Sequence, residues 1–319
     1  MTKIISVGID ISKKTFDVSL FKNKKFKQKK YSNDNRGFKL FFEWLKKQDA
    51  LSAHICMEAT GIYGEALAEY LYDKGLSVSI VNPVRIKGFA QSELARTKTD
   101  KMDAKLIARF CTAMNPGLWQ PQPIEIRGLR NLVRRLEALN AMHQQETNRL
   151  EAASDMIEEQ LLRHLKFLKQ EIKDTKSLAK DYIEQHPELK KRQALLESIP
   201  GIGEATIHVI LSEFGSIAQF KNAKALAAYI GVAPRIRQSG SSLRTRGMMS
   251  KMGRSKLRKA FFMPALVALR YNPLIVKLKE RLTDSGKSKM TIVGAAMRKL
   301  VHLIYGVLKN GVPFDQHFA

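Results

Sequence analysis

Apolar and polar positions change their period along the 319 residues, and each change marks a different kind of structure. Near the N-terminus, Ile4 to Ile9 and Phe16 to Phe21 read as strands around a turn at Ser12 to Lys14, and Phe26 to Tyr31 reads as a third strand closing a meander. A helix over Arg36 to Lys47 follows, with Phe38, Phe41, Phe42 and Leu45 on one face. The apolar run His54 to Met57 predicts a strand, Tyr63 to Lys74 a helix, Leu76 to Val81 another strand, and a last helix begins near Asp100. Three strands followed by alternating helices and strands predict an α/β domain over residues 1–118.

The period then lengthens. Residues 125–186 contain no proline, and Leu161, Leu165, Leu168, Ile172, Thr175, Ala179 and Tyr182 alternate spacings of four and three. This is a heptad-like seam, expected in a long helical hairpin or coiled coil over residues 119–194. It serves equally as an intramolecular helix pair or as a dimerisation element. Pro187 ends it, and from Leu195 to the end at residue 319 the pattern is that of a third, mostly helical domain.

Composition adds a partner. Lys and Arg number 55 against 30 Asp and Glu, a formal net charge of +25. Such an excess favours a polyanion, because each cation set against a phosphate releases condensed counterions. An anionic membrane surface ranks below nucleic acid, since no basic amphipathic helix with an exposed apolar face stands out. Residues 201–319 hold 20 basic and 5 acidic side chains, so the C-terminal third carries much of the excess. The run Lys22 to Lys30 reads as a solvated hairpin tip. At 44% hydrophobic the chain buries real cores, which excludes wholesale disorder. The longest strongly apolar stretches, such as Leu300 to Leu308, fall short of the roughly 20 residues of a bilayer span, so no membrane helix is expected. Two cysteines, Cys56 and Cys111, and an N-terminus without a signal-peptide pattern imply a cytoplasmic protein with no disulfide framework.

Four acids stand out by position: Asp10 at the end of the first strand, Glu58 at the end of the fourth, and Asp100 with Asp103 opening a helix. Acids three apart share a helix face. Hard divalent cations on a scissile phosphate require rigidly held oxygen ligands, and strand ends supply such positions. The plainer alternative is a turn residue, a surface acid and a helix cap.

In LLESIPGIGEATIHVILSEFG, two helical runs meet at Ile199 to Gly203, the pattern of a helix-hairpin-helix. Gly201 and Gly203 allow a sharp turn that can present backbone N–H groups to a phosphate without reading base sequence, the plainer alternative being a hairpin that only packs helices together. Further on, Ser239, Ser241 and Ser242 surround Gly240 among arginines. Arg235, Arg237, Arg244 and Arg246, followed by Lys251, Arg254, Lys256 and Arg258, are candidate phosphate contacts. A serine attacks a phosphodiester only with a base or metal and nearby cations, so on chemistry alone this is a phosphate-contacting loop.

The strings around these residues carry a resemblance. VGIDISKKTFDVSL resembles the opening of RNase H-like proteins, particularly the RuvC type of junction resolvase. ICMEATGIYGEAL and ARTKTDKMDAKLIARF, with LAAYIGVAPRIRQSGSS and MRKLVHLIYGVLKNGVPFD, resemble the Asp-Glu-Asp-Asp transposases of bacterial insertion sequences, the one-ten family that includes Piv-type invertases. The resemblance implies an N-terminal RuvC-type domain in which Asp10, Glu58, Asp100 and Asp103 hold Mg2+, and a nucleophilic serine at Ser239. It further implies double-stranded DNA at element ends and target, an element-encoded guide RNA, a dimer or tetramer, and a nucleoid-associated location. Two rivals keep their place: a RuvC-like junction nuclease without a covalent intermediate, and a non-catalytic nucleic-acid-packaging protein.

Overall fold

The computed structural model describes residues 5–59, 61–93, 100–235, 238–239, 243–244 and 248–317. The side chains of Ile62, Asp100, Lys101, Gln238, Ser239, Leu243, Arg244 and Met248 lie outside the description. The chain divides into two compact units, Met1–Pro121 and Gln122–Ala319.

The first unit is built on five strands: β1 (Ser6–Ile11), β2 (Thr15–Lys22), β3 (Lys25–Ser32), β4 (His54–Glu58) and β5 (Ser77–Val81). Their order is β3-β2-β1-β4-β5. The meander β1–β2–β3 is antiparallel, whereas β4 and β5 run parallel to β1. Among the described residues, four helices cover the sheet: α1 (Asn35–Lys47), α2 (Glu65–Asp73), α3 (Pro83–Ser92) and α4 (Asp100–Met114). The expected strands and helices are all present; α3, opened by Asn82 as a cap, was not foreseen.

Alternation sorts the strand residues between two faces. Val7, Ile9, Phe16, Val18, Leu20, Ile55 and Met57 bury one face together with Phe38, Phe41 and Leu45 of α1 and Leu67 and Leu71 of α2. The other face carries small side chains where α4 lies. Ser6 donates a 2.9 Å hydrogen bond to the Ala108 carbonyl, and a side chain at Gly8 would collide with the backbone of Ala104 and Ala108. The lysine run holds the solvated tip of the β2–β3 hairpin, where Asn23 and Lys24 turn with φ of 53° and 60°, and continues through Lys25 to Lys30 as most of edge strand β3.

A bond between Cys56 of β4 and Cys111 of α4 corrects the expectation of no disulfide framework. Their α-carbons are 5.8 Å apart across 55 residues of sequence, and both side chains are buried. Sheet pairing and helix packing bring them together, which spacing alone does not reveal.

The second unit is helical: α5 (Ile124–Leu150), α6 (Asp155–Glu184), α7 (Pro187–Glu197), α8 (Glu204–Phe214), α9 (Ala223–Ile230), α10 (Ser255–Ala260), α11 (Phe262–Tyr271), α12 (Pro273–Asp284) and α13 (Lys289–Asn310). Among the described residues, two short strand pairs, β6 (Pro234–Arg235) with β9 (Met248–Met249) and β7 (Gln238–Ser239) with β8 (Leu243–Arg244), interrupt it. The seam on α6 packs within the chain against α5, with Leu165, Leu168, Thr175 and Ala179 buried. Ile126, Leu129 and Val133 of α5 and Ala179 and Ile183 of α6 join the same core as α8, α9, α11 and α13. Helix α13, at 22 residues, is long and apolar enough to cross a membrane by length and composition, which local runs such as Leu300 to Leu308 did not suggest. Here its apolar face, including Val293, Ala296, Leu300, Val301 and Ile304, is buried in that core.

Candidate functional site

The register of the sheet brings two of the four acids side by side. Gly8 lies opposite Cys56 and Ile9 opposite Met57 in the parallel β1–β4 pair. Asp10 and Glu58 are one residue further along each strand, at the carboxyl ends. Asp10 shares the face of Ser6 and Gly8, and Glu58 that of Cys56, so both belong to the α4 side of the sheet.

Helix α4 runs opposite to β1. Ser6 meets Ala108 and Thr112, whereas Gly8, two residues further along, meets Ala104, Ile107 and Ala108. Continuing in that direction, the start of α4 lies toward the strand ends that carry Asp10 and Glu58. Asp100 and Asp103 occupy its first turn. Asp10, Glu58 and Asp103 are each half-buried; the Asp100 side chain is outside the description. Carboxylates on rigid strand ends and a helix start offer the hard oxygen donors that a divalent cation takes, so the residues present fit such an ion.

Across the hairpin stands an acid that the sequence reading missed. Asp17 is directly opposite Asp10 in the β1–β2 pair, and Lys30 is opposite Asp17 in the β2–β3 pair. Asp17 is 6% exposed and its Oδ2 lies 3.1 Å from Lys30 Nζ. The turn was the available signal. Ser12 caps it, donating from Oγ to the Thr15 carbonyl at 2.7 Å, and a turn centred there places residue 17 beside residue 10.

His54, Cys56 and Cys111 form another group of metal-ligand types, their ligand atoms within 4.8 Å of one another. The sulfurs are bonded to each other, and His54 Nε2 is 2.7 Å from Ser79 Oγ. Ser79 Oγ in turn lies 3.1 and 2.8 Å from the carbonyls of Pro116 and Gly117, either of which can take its one hydroxyl proton. These donors build the core beneath the acids and leave no thiolate for a metal.

In the second unit, α7 and α8 flank the Ile199 to Gly203 turn. Gly201 has φ +101°, and a side chain there would strike Ala268 of α11. Its glycine is therefore accounted for by packing. Gly203 caps α8, is exposed, and has open space where a side chain would be. The buried Asn272 fixes the turn by donating 3.2 Å to the Pro200 carbonyl while capping α12.

Ser239 lies in β7 opposite Leu243; Ser241, Ser242, Arg237 and Arg246 fall outside the described residues, as does the Arg244 side chain. Arg235 and Lys251 are exposed. Three other candidate cations have partners within the chain. Arg254 pairs with Glu213 and sits 5.1 Å over the Tyr229 ring, Lys256 reaches Glu137 at 3.0 Å, and Arg258 donates to the Lys251 carbonyl at 3.2 Å.

Comparison with known proteins defines the class. Residues 7–157 match a transposase family model of the DEDD type, and residues 193–280 match the model for transposases of the IS116/IS110/IS902 family. The pilin gene-inverting protein of Moraxella bovis is 36% identical over 314 residues, covering 97% of each chain. Its counterpart in Moraxella lacunata is also 36% identical over the same share of both. An uncharacterized 43.6 kDa protein of insertion element IS110 from Streptomyces coelicolor is 26% identical over 133 residues, 42% of this chain and 32% of that one. The chain belongs to the IS110 family of transposases, which are enzymes of DNA recombination. DEDD-type members of this class typically use a divalent metal and act on DNA.

Proposed function

We propose that this protein is a Mg2+-dependent DNA recombinase that excises and inserts its own element through a covalent serine intermediate. The observation that carries the reading is the register that sets Asp10 beside Glu58 under the start of α4. The sheet order, with an antiparallel meander followed by parallel strands, supports an RNase H-like, RuvC-type domain. Asp10, Glu58, Asp100 and Asp103 would hold the metal, which when bound supplies positive charge against a phosphodiester.

The remaining roles fall to the chain's own groups. Ser239 Oγ forms a bond to phosphorus, the bond from phosphorus to the departing strand breaks, and that strand leaves as a protonated hydroxyl. Arg235 and its neighbours stabilise the charge that develops on phosphorus. The exposed Gly203 N–H at the start of α8 takes a backbone phosphate, as a helix-hairpin-helix does. A guide RNA supplies sequence choice by base pairing, so few base edges need be read by protein. The working assembly is a cytoplasmic dimer or tetramer. The inverting activity that names the Moraxella relatives supports the same chemistry applied to two sites on one molecule.

The test is to incubate purified protein, co-transcribed RNA, target DNA and Mg2+, then look for protein-linked DNA. Wild type is expected to yield the adduct, and Ser239→Ala and Asp10→Ala to yield none. An adduct that persists in Ser239→Ala moves the nucleophile to Ser241 or Ser242. Cleavage without any adduct returns the reading to a junction nuclease, and binding without cleavage to a packaging protein.

A further inference from the structure

Resting on that reading of the metal centre, we infer that Asp17 and Lys30 are a positioning pair that sets the charge, and so the metal affinity, of the site. The pair ladders align four side chains across adjacent strands. Asp17 is opposite Asp10, Lys30 is opposite Asp17, and Glu58 follows the position that pairs with Ile9. Directly opposed residues in an antiparallel pair share a face, with β-carbons roughly 5 Å apart. The row therefore reads Glu58, Asp10, Asp17, Lys30 on the α4 side of the sheet.

Burying the Asp17 side chain carries a cost. At 6% exposure its carboxylate has lost most of its water, and two facing carboxylates repel. Lys30 offsets that cost, with Nζ 3.1 Å from Oδ2 and a side chain that remains 52% exposed. The pair is thus arranged so that Asp17 stands directly beside Asp10 and Lys30 is rooted one strand further out. A cation held at Asp10 feels the nearer charge more strongly, because attraction falls with distance and Lys30 is screened by solvent. Asp17 draws the metal in, and Lys30 moderates it and keeps Asp17 from collapsing onto the ion as a ligand.

This arrangement predicts effects of opposite sign. Mn2+ is titrated into the full-length protein without nucleic acid, and free Mn2+ is read by electron paramagnetic resonance. Asp17→Asn is expected to weaken Mn2+ binding about tenfold, Lys30→Met to tighten it about threefold, and the double variant to bind about threefold more weakly than wild type. A merely structural ion pair would lower the melting temperature in both single variants and leave metal affinity unmoved. Lys30→Met keeps the test alive if Asp17→Asn fails to fold, since Lys30 lies half in solvent. Unchanged or weaker Mn2+ binding in Lys30→Met overturns the inference. Asp10→Asn separates the two levels. If it abolishes Mn2+ binding while the pair variants change nothing, the metal centre stands and this inference falls; if it changes nothing either, the metal centre itself is refuted.

Discussion

At the scale of single residues, Gly8 decides whether the acids can meet. A methyl group there would meet the Ala104 carbonyl and the Ala108 amide, which are backbone and cannot rotate away. The neighbours agree with this reading, for Ser6, opposite the second turn from the end of α4, is also small and bonds to that helix. Gly8→Ala is expected to destabilise the protein by about 1–3 kcal/mol through overpacking, measured by urea denaturation. Because the displaced helix carries Asp103, metal-induced stabilisation should shrink in the same variant. Unaltered stability in Gly8→Ala would mean that α4 does not bear on the sheet at this point.

At the scale of elements, most of the fold was legible because period and burial agree. The alternation around Ile9 and Phe16 and the spacing of Phe38, Phe41 and Leu45 each predicted an element that buries those residues. Helix α3 escaped because Ile86 is its one buried residue, so it has almost no apolar stripe to read. Asp17 escaped for another reason: it looks like one polar position in a half-buried strand until the register places it beside Asp10. The Gly201 turn was read correctly as a turn, but its packing against Ala268 depends on a helix more than sixty residues later. Helix α8 carries a consequence of the same kind. His208 is 4% exposed, and burial holds its pKa below the ordinary 6.5, with Glu204 and Glu197 pulling weakly upward. The unfolded chain therefore binds this proton more readily than the folded one, so stability is full above pH 6.5 and declines as pH falls through it. His208→Leu, which is similar in size and does not titrate, should flatten the acid side of a melting-temperature profile. A profile identical to wild type would assign the acid sensitivity to other groups.

For the whole molecule, the charge of +25 predicts strong, salt-sensitive binding to nucleic acid, but the structure divides the cations by what already holds them. Arg254, Lys256 and Arg258 each have a partner within the chain, whereas Arg235 and Lys251 are exposed beside the β6–β9 pair. A cation that contacts phosphate releases about one counterion, so its loss lowers the slope of log affinity against log salt by about one. Lys251→Ala and Arg235→Ala are each expected to flatten the slope by that amount without loss of stability. Arg254→Ala should behave differently, lowering the melting temperature because it removes the Glu213 pair and the contact over Tyr229. DNA titrations over a series of KCl concentrations, paired with thermal melts, distinguish the two classes. If Arg254→Ala flattens the slope as much as Lys251→Ala while melting like wild type, its internal contacts yield to phosphate on binding. The basic surface would then be larger than the free protein displays.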